Sequence, residues 1–147
     1  MKVSKYFEIE ELVPIQVFKM KGINALRYID KPMLDLLDAI RDYFCCAIVI
    51  NDKYRGGTYD ASGLRVLGQV DFKQWSDHSA GRAMDIKIAG IDSAEVQKRI
   101  KDNKVMFMNK GLTGIETDTN GWTHISTANY GSNMLALIPA NGEITFI

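Results

Sequence analysis

The sequence predicts one α+β domain whose sheet is largely antiparallel and flanked by helices. Three observations carry this. Helix-period apolar spacing is concentrated in the first half of the chain and short strand-like runs in the second, the order of an α+β domain rather than an alternating α/β one. The length of 147 residues suits one domain with one sizeable core. No repeat, low-complexity tract or linker divides the chain, so the domain is taken as residues 1–147.

Residues 4–13 read as a short N-terminal helix, with Ser4 as cap and Phe7, Leu12 and Val13 as its apolar face. The clearest helix begins near Asp30. Pro32 lies in its first turn, and Leu34, Leu37, Ile40, Tyr43 and Phe44 recur at helical spacing. Cys46 to Ile50 is a short apolar run that suits a buried strand. Residues 51–77 are rich in Gly, Asp, Ser and Tyr without sustained periodicity, and a long irregular segment in a compact domain is often functional. Met84 to Ile88 alternates like a strand, and Asp92 with Glu95 opens a helix through Val96 and Ile100. Gly114 to Glu116, Trp122 to Ser126 and Glu143 to Ile147 read as strands.

Eighteen basic residues balance eighteen acidic ones. A neutral chain without a basic stretch offers no electrostatic footprint for nucleic acid. No apolar run approaches the roughly 20 residues that span a bilayer, and the N-terminus has no apolar stretch of signal-peptide length. Synthesis in the cytoplasm without a signal peptide, no membrane insertion and a monomeric state are expected. The two cysteines, Cys45 and Cys46, are adjacent and lack metal or redox spacing, so both are expected to be buried thiols.

The chain has two histidines, His78 and His124. His78 ends the polar loop, and His124 lies in an apolar strand with Trp122 and Ile125 nearby. Asp85 is flanked by Met84 and Ile86, where an acid is costly to bury without a cation or strong hydrogen bonds. Two imidazoles and one carboxylate form a competent zinc set with a position left open for water. On composition alone, the bland reading of both histidines as surface or satisfied core residues is the stronger one. Gly81 permits a tight turn between His78 and Asp85, and small Ala83 leaves room beside a metal.

The run from Ser76 to Ile86, Ser-Asp-His-Ser-Ala-Gly-Arg-Ala-Met-Asp-Ile, resembles the H-x-x-G-x-A-x-D motif of the M15 zinc peptidases. That family includes D-Ala-D-Ala carboxypeptidases, VanX-type dipeptidases and phage L-alanyl-D-glutamate endopeptidases, and shares the Hedgehog/DD-peptidase fold. The resemblance spans roughly residues 4 to 127 and is most specific at 76–86 and 122–126. It implies that His78, Asp85 and His124 hold Zn2+. It also implies an arginine lining the substrate groove, with Arg65 the first match and Arg55 the second; an arginine fork suits a peptide carboxylate. Arg82, inside the motif, is either an orienting neighbour of Asp85 or a surface residue. Trp122 either shapes the groove or packs in the core.

Many members of that family place a glutamate three residues before the last zinc histidine; here that position is Gly121. The general base then falls to Asp118, six residues before His124, with Glu116 as the alternative. In an unbroken strand both would share a face with His124, but Asn120-Gly121 is a turn signal. The expected function is zinc-dependent hydrolysis of a peptide bond in peptidoglycan stem or cross-link peptides, as an endopeptidase or D,D-carboxypeptidase. A phage or prophage endolysin, or a virion-associated enzyme, fits that expectation. The alternative is a non-catalytic zinc module that binds a peptide, glycan or protein partner on the same fold.

Overall fold

The computed structural model describes residues 1–147 and shows a single α+β domain with a mostly antiparallel open sheet. The helices are α1 (Ile9–Leu12), α2 (Ile15–Lys21), α3 (Lys31–Phe44), α4 (Ser93–Asp102) and α5 (Lys104–Met108), with 3-10 segments at Gly22–Tyr28 and Lys53–Arg55. The strands are β1 (Ile48–Val49), β2 (Ala83–Ile88), β3 (Gly114–Glu116), β4 (Thr123–Ser126), β5 (Ala136–Ile138) and β6 (Thr145–Phe146). Their order across the sheet is β1-β2-β4-β3-β5-β6, and only the β3/β5 pair is parallel. No helix is long and apolar enough to cross a membrane.

Alternation divides the sheet into two faces. Met84, Ile86, Ile88, Ile115 and Ile125 are buried on the face that packs with the helices. There α3 contributes Met33, Leu36, Leu37, Ile40 and Phe44, a helical stripe. The opposite face carries Asp85, Lys87, Glu116 and His124, and the irregular segment 51–77 runs over it.

The N-terminal expectation needs correction. Residues 4–13 do not form one helix: α1 begins at Ile9, and Glu11 accepts a hydrogen bond from the Glu8 N–H. Ser4 instead closes a turn, accepting from the Phe7 N–H while donating to Asp38 of α3. Asp30 stands at the start of α3, but its carboxylate is taken by the Thr127 hydroxyl at 2.8 Å, tying that helix to the end of β4. Asp92 does cap α4, accepting from the Glu95 N–H at 3.0 Å. The cysteines are not both buried: Cys45 is exposed in a left-handed conformation (φ 53°) at the end of α3, and Cys46 is half-buried. The segments α2, α5 and β5 carry no signal strong enough to have been expected.

Candidate metal centre

The site is assembled from three neighbouring strands and one loop. Asp85 on β2 lies opposite His124 on β4. The β3/β4 register, with Gly114 opposite Ser126 and Ile115 opposite Ile125, continues to set Glu116 on the other side of His124. Three polar side chains therefore stand in a row across β2, β4 and β3, on the face away from the core. His78 reaches the row from the end of the loop. The turn after it depends on Gly81, whose φ is +69° and where a Cβ would stand 1.8 Å from the Tyr28 carbonyl oxygen.

The segment 62–65 is latched by its backbone. Leu64 N–H donates to the Leu12 carbonyl, Arg65 N–H to the His78 carbonyl, and Asp85 N–H to the Ser62 carbonyl. Gly63 fits there because a Cβ would lie 2.2 Å from the Leu12 carbonyl oxygen. The Gly63 carbonyl in turn accepts from His78 Nδ1 at 2.8 Å. The carbonyl fixes Nδ1 as a donor, so His78 directs its other nitrogen, Nε2, into the cluster, the arrangement usual for a metal-ligating histidine.

His78, Asp85 and His124 are all buried, and their ligand atoms converge. His78 Nε2 is 3.2 Å from Asp85 Oδ1, His124 Nδ1 is 3.0 Å from the same oxygen, and the two nitrogens are 3.2 Å apart. A tetrahedral zinc ion with bonds of about 2.0–2.1 Å separates its ligand atoms by about 3.3 Å. The triangle is close to one face of that tetrahedron, so the group could hold a metal ion. Charge agrees with this. Five acids (Asp60, Asp71, Asp77, Asp85 and Glu116) and three cations (Arg65, Lys73 and Lys87) line the surrounding cleft, an excess of two negative charges that a divalent cation offsets.

Burial alone would raise the Asp85 carboxyl's pKa. Hydrogen bonding with His124 and His78 outweighs burial and holds it well below the usual carboxylate range. Its outer oxygen, Oδ2, accepts from Arg65 Nη2 at 2.7 Å, while Arg65 Nε donates to the Ala61 carbonyl at 2.7 Å. Arg65 thus lines the cleft with Nε and Nη2 engaged by the Ala61 carbonyl and the Asp85 carboxylate.

The other expected residues divide. Glu116 lines the cleft, and its Oε2 is 3.9 Å from His124 Nδ1. Asp118 is not brought to the cluster: it is exposed past the bend that ends β3, accepting from the Ala140 N–H. Trp122 lines the cleft with its ring partly exposed. Arg55 lies elsewhere, beside Glu8 and Tyr54, and the Arg82 side chain is exposed outside the cleft.

The cleft has a volume of about 750 Å³. Its walls include residues that sequence reasoning missed. Trp75 stands almost fully exposed at the rim. Tyr130 donates to Asp77, which also accepts from the Ser126 hydroxyl, bracing the segment that carries His78. Burial and the Asp77 hydrogen bond raise the Tyr130 pKa, so it remains a phenol donor. Lys87 was legible in principle, because it shares strand parity with Asp85; the pairing of Tyr130 with Asp77 had no local signal. Comparison of the chain with protein-family models, curated proteins and solved structures finds no match.

Proposed function

We propose that this chain is a zinc-dependent peptidase that hydrolyses a peptide bond in bacterial peptidoglycan, on the M15-like Hedgehog/DD-peptidase fold. The observation that carries this reading is the buried His78–Asp85–His124 triangle at a solvent-open cleft, with the Glu116 carboxylate beside it. The resemblance of residues 76–86 and 122–126 to the M15 pattern adds the substrate class, and a phage or prophage lysin suits it.

When bound by His78, Asp85 and His124, zinc supplies the Lewis acidity that polarises an amide carbonyl and acidifies water. Glu116 Oε2 holds the proton removed from the attacking water and returns it to the departing amine nitrogen. Asp118 does not line the cleft and instead accepts from the Ala140 N–H. Arg65 holds Asp85 Oδ2 and so fixes which oxygen faces the two imidazoles. The Gly63 carbonyl holds His78 in the Nδ1–H tautomer. Trp122, Trp75 and Tyr59 provide flat walls for an extended peptide.

The test is release of new amino groups from purified peptidoglycan, before and after chelation and with zinc restored. Loss on chelation and recovery with zinc is the expected result, with His124→Ala lacking both metal and activity. Zinc-loaded protein that releases nothing from several wall chemotypes would sink the peptidase reading. It would favour the second one, a non-catalytic zinc module, whose specific support is Gly121 at the place of the family's usual glutamate.

A further inference from the structure

Arg65 gives Nε and Nη2 to Ala61 and Asp85, and a second anchored cation stands in the same cleft. Lys87 projects from β2 on the same face as Asp85, two residues along. Its ammonium group donates to the Ser62 hydroxyl at 3.0 Å and lies over the Tyr59 ring, 4.0 Å from the centroid. Lysine has three N–H donors, and Ser62 is the only hydrogen-bond acceptor that the protein gives this one. No carboxylate lies within ion-pairing distance of it, whereas Arg65 is closed on Asp85 and Lys53 on Asp60. Lys73, the remaining cation of the cleft, is exposed and has no such anchoring. Lys87 is thus a half-buried, positioned cation with unused donors facing the cleft.

We propose that Lys87, with the Ser62 hydroxyl, is the subsite for a carboxylate of the substrate and makes the cleft selective for acidic peptides. The proposal deepens the peptidase reading and rests on it for the identity of the peptide. Two residues along a strand is about 7 Å, and an extended peptide advances about 3.3–3.6 Å per residue. The carboxylate that Lys87 takes therefore sits one to two residues from the amide held over the metal cluster. Tyr59 holds the ammonium from one side, so the anion approaches from the open cleft. In wall peptides this position is met by a stem residue with a free carboxyl group, and amidation of that group removes the charge that Lys87 recognises.

The experiment uses the full chain and two synthetic stem peptides, L-Ala-D-Glu-L-Lys-D-Ala with the glutamyl α-carboxylate either free or amidated. Binding is measured by calorimetry on zinc-loaded and chelated protein, and cleavage is measured separately as KM and kcat. The wild type should bind the free-carboxylate stem about tenfold or more tightly than the amidated one, the strength of a charge-assisted hydrogen bond. Lys87→Met should bring that ratio close to one, with the change read in KM, and Lys87→Arg should retain most of it. Equal affinities in the wild type, no binding of either stem, or a ratio that survives in Lys87→Met would each overturn the subsite. Should Lys87→Met not fold, Ser62→Ala carries the same test through a partial loss of the ratio. Discrimination in binding without any cleavage would sink the peptidase reading while leaving the Lys87 subsite standing.

Discussion

Arg65→Met removes the guanidinium that closes on the back of Asp85 while keeping most of its apolar stem. The pair is 2.7 Å apart, and the two side chains are only 18% and 12% exposed. Two unit charges with centres about 4 Å apart interact by about 4 kcal/mol at an effective dielectric constant of about 20. Removing one partner of a buried pair costs about 3–5 kcal/mol, because the other charge is left without compensation. Residual exposure favours the lower end, about 3 kcal/mol. For a chain of this length the unfolding entropy is about 0.3 kcal/mol/K, so metal-free Arg65→Met should melt about 10 °C lower than metal-free wild type. With zinc present, Asp85 has a second cation to face, and the difference between variant and wild type should shrink. The assay is thermal unfolding of both proteins with chelator and with zinc. A variant that melts with the wild type in chelator would refute the role given to this pair. An equal deficit with and without zinc would refute the placement of the metal at Asp85.

Glu116→Gln should lower turnover on wall peptides by about a hundredfold or more while zinc content stays near stoichiometric, and Asp118→Asn should do much less; the reverse order would return the base to Asp118. Gly81→Ala combines a backbone angle of +69° with a Cβ placed against the Tyr28 carbonyl. It should cost at least about 1–3 kcal/mol in denaturant unfolding, and a midpoint within error of the wild type would show that this turn relaxes freely. Burial raises the pKa of Glu11, with its hydrogen bond to Glu8 and the Arg55 charge opposing. A raised folded pKa means that this carboxyl favours folding below its unfolded value and that the benefit is lost as pH rises through the folded value. Glu11→Gln, whose amide oxygen can still accept from the Glu8 N–H, should therefore raise the melting temperature at pH 7 and give no such gain near pH 3. A gain independent of pH would point to helix propensity instead.

The parts of the site that were legible in the sequence are those set by local rules. Asp85 stands out because an acid between Met84 and Ile86 on an alternating strand has to face away from the core. Asp92 announces α4 because its cap is formed within three residues. The turn at Gly81 is visible as a glycine, although the clash with Tyr28 that requires it is not. What escaped depends on distant partners. Strand β5 slots beside β3 in parallel rather than beside β4, the strand before it; no local pattern encodes that. Asp118 is favoured by its spacing from His124, with a turn signal at Asn120-Gly121, but the chain already bends at Thr117 and Asp118, and the strand face ends at Glu116. The family resemblance points to Arg65 as a groove-lining arginine, and nothing local shows that its Nη2 donates to Asp85 across the fold. Ser4 and Asp30 look like helix caps in one dimension, and each is diverted by a polar partner brought from far along the chain.

The row Asp85–His124–Glu116 also makes the site a gauge of strand alignment. A slip of one residue in β2 or β4 would turn its ligand toward the helices and bring an isoleucine, methionine or threonine to the cleft. Misaligned sheets could still bury much apolar surface, so hydrophobic packing alone penalises them weakly. A divalent ion held by these three residues would bind only when two strands and the loop carrying His78 are all in step, and its binding energy would be withheld from every other pairing. The metal would thus act during folding as a proofreader of β-sheet register, selecting the aligned state before any substrate arrives.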